Sequence, residues 1–448
     1  MTIASDAVLL DEVVVEGRAA AEELRGELVS WRRDFHSHPE PGFGEFRTAA
    51  LLGHRLKELG FDVKLAEDAM AIDSVYHRPQ ERIDAAEGRA LEAGGDAELV
   101  ARMKAGGTAV VADVRFGDGP VAAFRFDMDC LPVFESQLEG HRPNRERFRS
   151  LVDGEMHACG HDGHMAMGLG LASLVARRST ELAGTLRLIF QPAEEGALGG
   201  ARAICARGLA DDVDYMVCSH LGLSAGTKEF VARASFLATS KFQVRFTGQA
   251  AHVVNSPQSG RNALLAAASA SLALHALAPH SGGWYSVNVG VMRAGDEQGV
   301  TPPWALLELG VWADTREAHD YVVGELENVV KGTGHAWGVD TEIQQIGGAP
   351  AAAEDAELAA VACEIASRVP EIEQITDEMV CRAGEDATFF LNRVTERGGK
   401  GIYVLIGSDL AAGHHSPEFD IDERSLVNGT AILGSLALYL LNPKKDDF

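Results

Sequence analysis

The sequence is most informative first in what it lacks. No apolar run approaches the roughly 20 residues that cross a bilayer, so no membrane-spanning helix is expected. Cysteine is scarce: Cys130, Cys159, Cys205, Cys218, Cys363 and Cys381 are scattered and form no CxxC pair. A disulfide framework is therefore not expected, and a reduced, cytoplasmic setting fits. The opening stretch MTIASDAVLLDEVVVEG has no basic-then-apolar layout of a secretory leader. Positive charge is also short, with 40 Lys and Arg against 66 Asp and Glu, a net of −26. That balance argues against nucleic acid or an anionic membrane as partner. It would also repel an acidic substrate at long range, so binding one requires local cations: a metal or a few placed arginines.

What is present is ordinary globular material, 46% hydrophobic and 24% charged over 448 residues, enough for two domains with their own cores. The early chain reads as helices, with Ala49, Leu52, Leu56 and Leu59 on one face. Residues 65–106 are charged and alanine-rich and read as an inserted helical segment rather than core. Strand-like TAVVADVR, PVAAFRF, TLRLIF and VDYMVCSH then alternate with helical stretches, the pattern of an α/β domain with a mostly parallel sheet. From about Ser235 the strands SKFQVRFTG, YSVNVGVM and WALLELGVWADTR alternate like half-exposed ones, with two helices. This predicts a compact α+β, ferredoxin-like insert. The expected division is a catalytic domain over 1–234 and 347–448, interrupted by a lid or dimerisation domain over 235–346.

Five short stretches carry chemistry. FRFDMDCLP holds Asp127 and Asp129; MHACGHDGH holds Cys159, His161, Asp162 and His164; FQPAEEG holds Glu194 and Glu195; VCSHLG holds His220; AAGHHSPEFD holds His414 and His415. Asp127, Glu194, Glu195 and His220 each fall near the end of a predicted strand, where open parallel sheets build their sites. Thiolate, imidazole and carboxylate together are a usual ligand set for zinc or a similar divalent ion. Glu194 and Glu195 are adjacent, so one loop can aim one carboxylate at a metal and the other at a proton in transit. Each residue alone has a plainer reading. A lone cysteine is often a small buried residue, a Glu-Glu pair is usually solvated surface, and His164 reads best as a core histidine. Their joint occurrence at strand ends favours a metallohydrolase.

WRRDFHSHPEPGFGEFRTA, MHACGHDGH, FQPAEEGALGGARA, GQAAHVV and HHSPEFDIDE together resemble the two-metal aminoacylase and carboxypeptidase-type metallopeptidases. The likeness is to their amidohydrolase branch, covers nearly the whole chain and keeps the motif order. It implies a two-metal peptidase-like catalytic domain with Cys159, His161, Glu195, His220 and His415 as ligands of two divalent ions per protomer, Mn²⁺ or Zn²⁺. His415 is preferred to His414 because it directly precedes SPEF. The resemblance further implies Glu194 as general base and Asp129 as an aspartate supporting the catalytic groups. Asp127 falls where other branches place a metal-binding histidine. His252 matches a residue that reaches a neighbouring protomer's site and steadies an oxyanion, and Arg316 one that grips a substrate carboxylate. The family often has Asn where this chain has Gly299, which bears on the substrate more than on the reaction. The implied substrate is a small N-acyl or N-aroyl amino acid with an acidic side chain, aroyl-glutamate first, with indole-acetyl-aspartate or a simple N-acyl amino acid as alternatives. A homodimer through the insert is expected, or a heteromer with a related second subunit. The reading from a different class is a non-catalytic, metal-binding partner subunit.

Overall fold

The computed structural model describes residues 7–177, 182–196, 198–223 and 225–445. They gather into two compact units. The first comprises the chain to Ser235 with Ala352–Cys381 and the chain from Asp386; the second comprises Phe236–Ala351 with Arg382–Glu385. In chain order the strands are β1 (Asp62–Leu65), β2 (Val110–Arg115), β3 (Val121–Asp127), β4 (Thr185–Gln191), β5 (Tyr215–Leu221), β6 (Glu229–Phe236), β7 (Ala238–Thr247), β8 (Tyr285–Ala294), β9 (Trp304–Ala313), β10 (Asp340–Ala349), β11 (Gln374–Cys381) and β12 (Lys400–Ile406).

In the first unit eight strands form one sheet in the order β1-β2-β4-β3-β5-β12-β6-β11. Its centre, β4-β3-β5-β12, is parallel, while β1, β2 and β6 join the flanks antiparallel. The central strands are buried almost throughout; every residue of β5 is. That is why they read as mostly apolar runs rather than alternating ones. Helix His161–Ala176 lies on β3, β4 and β5. It is apolar on all sides and is buried from His161 to Val175, as a helix enclosed by its own unit must be. Helix Arg424–Leu440 packs beside it.

The charged segment after residue 65 does form helices, Gln80–Glu92 and Ala97–Gly106. The second starts at Asp96, whose carboxylate caps the amides of Glu98 and Leu99. Its few apolar residues are well used, since Ile83, Val100 and Met103 are buried.

The second unit is a four-stranded antiparallel sheet in the order β10-β7-β9-β8. Helices Ala263–Leu274 and Arg316–Trp337 pack on it. The longer helix buries Ala318, Val322, Leu326 and Val330, a four-residue spacing that keeps one stripe on the sheet. Each such Val or Leu contributes roughly 1.5–3 kcal/mol by leaving water.

Candidate metal centre

The site grows from the carboxyl ends of the central strands. β3 ends at Asp127 and its pairing to β4 continues one step, the Met128 amide donating to Gln191 O at 2.9 Å. This aims Asp129 at the loop that follows β4, which carries Glu194 and Glu195. His220 stands on β5. Cys159 and His161 flank Gly160, which has φ +95°; a side chain there would be strained, and the turn lets Cys159 and His161 face one region as the helix begins. His415 arrives from the C-terminal loop, its amide donating to Ala158 O at 2.8 Å. His415 and Ala193 both hold positive φ, 65° and 54°, a backbone cost of about 1–3 kcal/mol each that persists only where the surroundings impose it.

The expected ligands converge. Cys159, Glu195 and His415 offer donor atoms within 4.8 Å of one another, as do His161, Glu194 and Glu195. Cys159 Sγ lies 3.4 Å from His220 Nε2. The two buried imidazoles are prepared alike: His161 Nδ1 donates to Asp129 O and His220 Nδ1 to Leu221 O, each at 2.8 Å. Each is thereby left with an Nε2 lone pair directed at the cluster, as metal-binding histidines require. His161 Nε2 and Glu195 Oε1 are buried with no hydrogen-bond partner. Orphaned acceptors among a thiol, imidazoles and carboxylates are satisfied by a cation; the two trios share Glu195, Cys159 joins His220 and His414 in a further one, and such overlap suits two ions better than one.

His164 is different. Its Nδ1 donates to Asp127 and its Nε2 accepts the Leu221 amide at 2.9 Å, so both nitrogens are occupied. It braces the backbone beside His220. Asp127 is likewise consumed, with Arg125 at 2.7 Å on its other oxygen. Burial raises its pKa, but Arg125, His161 and His164 outweigh burial and hold it well below the usual range. His414 hydrogen-bonds Leu221 O at 3.3 Å, and burial lowers its pKa to about 4. It also offers a donor atom within 4.8 Å of Cys159 and His220, while His415 Nε2 lies 3.5 Å from Glu195 Oε1.

Without a cation the donors are at odds. Burial, reinforced by Glu195 and Glu194, pushes the Cys159 thiol well above its normal pKa. Burial lowers the His161 pKa, but Asp127 and Asp129 overcome it and raise it to about 10. Divalent cations displace such protons, so metal binding and proton release are linked here.

Several supporting groups have no counterpart in the sequence reading. Glu45 is fully buried. It accepts the Ala193 amide at 3.0 Å and the Thr108 hydroxyl, and burial beside Asp129 pushes its pKa well up. Asp162, next to His161, is held by Arg32 Nε and His36 Nδ1, both at 2.8 Å, and His36 Nε2 reaches Glu135 at 3.0 Å. A signal for these was present: Arg32 and His36 share the buried face of helix Arg25–Ser37 with Leu28 and Phe35. Charged residues in the apolar phase of a helix mark a buried network. Glu45 gave no periodic signal.

The model for Peptidase family M20/M25/M40 matches residues 123–439, which include Cys159, His161, Glu194, Glu195, His220 and His415. The chain belongs to that family. It is therefore a metal-dependent amidohydrolase or peptidase, a hydrolase of carbon–nitrogen bonds. This M20 chain is 42% identical over 420 residues to the indole-3-acetyl-aspartic acid hydrolase of Enterobacter agglomerans, covering 93% of this chain and 96% of the relative. It is 42% identical over 419 residues to a p-aminobenzoyl-glutamate hydrolase of Escherichia coli K12, a relative whose name makes it one subunit of that enzyme, with the same coverage. Among solved structures it resembles the Bacillus subtilis YXEP protein, a dinuclear metal-binding peptidase of the M20 family. The TM-score there is 0.67 at 26% identity, covering 94% of this chain and 99% of that one. Two divalent ions thus agree with both the family and the donor set. No helix among the described residues is long and apolar enough to cross a membrane.

The remaining candidates lie in the second unit. His252 is exposed. Its Nδ1 accepts the amides of Val254 and Asn255 at 3.2 and 3.3 Å, which leaves Nε2 as a donor. Gly299 O accepts the Val253 amide at 3.3 Å, on the stretch that bridges His252 to Val300. Arg316 opens helix Arg316–Trp337 with its side chain 89% exposed, 3.6 Å from Asp320.

Proposed function

We propose that this M20 chain hydrolyses the amide bond of an N-aroyl or N-acyl amino acid with an acidic side chain. p-Aminobenzoyl-glutamate, cut to p-aminobenzoate and glutamate, is the first choice, and indole-3-acetyl-aspartate the alternative. The observation that carries this is the pairing of Glu194 with Glu195: the Glu195 carboxylate sits among the metal donors, while its neighbour joins only one of the trios built on those ligands. Relatives acting on two acidic amides, at equal identity, support the substrate class.

Cys159, His161, Glu195, His220 and His415 would hold two divalent ions, manganese or zinc. Bound there, such ions polarise a carbonyl and acidify water. Glu194 takes the proton of the attacking water and delivers it to the leaving nitrogen. It is buried, which keeps bulk water from competing for that proton. His252 Nε2–H donates to the developing oxyanion. Arg316, exposed and only loosely paired, grips the substrate's α-carboxylate. Gly299 brings no side-chain donor, so recognition must come from other groups.

His252 serves the site of a second copy, which makes the protein a homodimer through the second unit. In support, β8 is an open sheet edge, and Leu272 (76% exposed), Trp284 and Met292 form exposed apolar surface in that unit. A heteromer with a related chain is the alternative, suggested by the Escherichia coli relative named as one subunit of its enzyme. Six free cysteines support a reducing, cytoplasmic compartment.

The test is turnover by the purified chain alone, supplied with manganese or zinc, on p-aminobenzoyl-glutamate, indole-3-acetyl-aspartate and neutral N-acyl amino acids. Preference for either acidic amide supports the reading. Preference for neutral amides removes the substrate assignment, and inactivity on all of them points to a non-catalytic partner chain.

A further inference from the structure

Many arginines in the first unit are spent on carboxylates. Arg32 binds Asp162 and Asp420, Arg125 binds Asp127, Arg142 binds Asp420, and Arg187 binds Asp113 and Asp212. Arg202, like Arg55 over Trp31 and Arg78 on Lys104 O, is not. It is half-buried, its guanidinium carbon stands 4.1 Å from the centre of the Tyr76 ring, and among the described residues no carboxylate lies at ion-pair distance from it. In a chain of net charge −26, a half-buried cation without a carboxylate partner is available to an anion from outside.

Its position suits the reaction. The Gly199 amide donates to Ala193 O at 3.3 Å, closing the loop that carries Glu194 and Glu195. Arg202 lies three residues on, in the first turn of helix Gly200–Ala206. Asp386 ties that turn to the catalytic groups: it accepts the Ala201 amide at 3.1 Å and has a carboxylate oxygen within 4.8 Å of one of Glu194. Tyr76 comes from the segment between β1 and β2, which is fastened to the same helix by the Ala71 amide donating to Ala203 O at 2.9 Å. An aromatic face orients a guanidinium by cation–π attraction and leaves its edge free for a two-pronged carboxylate contact.

We propose that Arg202, braced by Tyr76, receives the side-chain carboxylate of the substrate's amino acid and so selects acidic amides. An acyl-glutamate or acyl-aspartate carries two carboxylates, and Arg316 accounts for one. This rests on the function proposed above. It assigns the 65–106 segment a part in specificity, because that segment supplies the ring.

The test compares kcat/KM on p-aminobenzoyl-glutamate with that on p-aminobenzoyl-glutamine, which differs only in the side-chain charge. In Arg202→Met the value for the glutamate amide falls by at least about 30-fold, the usual scale for truncating one side of a hydrogen-bonded charge pair. The value for the glutamine amide changes less than about threefold. Arg202→Lys recovers part of the preference, and Tyr76→Leu gives a smaller loss of the same kind. Far-ultraviolet circular dichroism and melting temperature establish that the variants are folded. Equal losses on both substrates would overturn the proposal by showing that Arg202 only shapes the loop, as would no loss on either. A wild-type chain that prefers the glutamine amide would instead overturn the substrate reading beneath it.

Discussion

Asp129 holds Glu195 by its backbone, accepting the Glu195 amide on Oδ2 at 2.9 Å, and it accepts the Glu194 amide on Oδ1 at 3.1 Å. The Asp129 carbonyl orients His161 as well. One buried residue thus sets a candidate base and two candidate ligands. In Asp129→Asn one oxygen becomes an NH₂ group facing a backbone N–H, leaving a buried donor unmatched at a cost of about 1–3 kcal/mol. The expected outcome is a folded protein whose divalent-metal affinity falls about 10–100-fold, measured by competition with a chelating dye. Unchanged affinity would detach Asp129 from the site.

Glu194 is assigned the proton and Glu195 the metal. Glu194→Gln should therefore keep its full metal content while turnover drops at least about 10²-fold. Glu195→Gln should lose metal. Paired elemental analysis and steady-state kinetics separate the two roles, and metal loss in Glu194→Gln would reverse the assignment.

His252→Ala should lower kcat by about 10²–10³-fold with metal content intact. If His252 serves the neighbouring protomer's site, mixing this variant with Glu194→Ala after protomer exchange restores activity, because the mixed dimer contains one site with both residues. Two inactive variants that stay inactive together would place His252 in its own protomer's site or outside the chemistry.

Away from the site, burial pushes the Glu354 carboxyl from its ordinary 4.5 to about 8, against the Tyr403 amide and Arg233, which act to lower it. The folded state then binds more protons than the unfolded one between these values. Stability contributed by the protonated acid is present at low pH and fades as pH rises from about 4.5 through 8. Glu354→Gln should accordingly melt higher than the parent at pH 8.5 and show no such gain at pH 5. A gain independent of pH would contradict the assignment.

The parts of the fold legible in the sequence were those where burial writes a pattern. β3, β4 and β5 are enclosed on both faces and read as mostly apolar runs. The strands that went unread are β1, β6, β10 and β11. Three of these are sheet edges, where a strand needs little apolar surface; β11 is QITDEMVC, mostly exposed. Residues 65–106 read as helical and as outside the core, yet Ile83, Val100 and Met103 are buried. At the site, the donor types were legible because cysteine, histidine and paired glutamates at strand ends are an unusual conjunction. The roles of Arg32, His36 and Glu45 were not, because they act through partners distant in sequence, such as Asp420 for Arg32 and Ala193 for Glu45. No local pattern encodes such pairings.

The proposed reaction requires five side chains from distant parts of the chain to act as one receptacle for two cations. Crystals soaked in manganese and measured at its absorption edge test this directly. The expected map shows two anomalous peaks, bounded by Cys159, His161, Glu195, His220 and His415 and sharing Glu195. A single peak, or peaks that leave Cys159 or His415 without a cation, would contradict it.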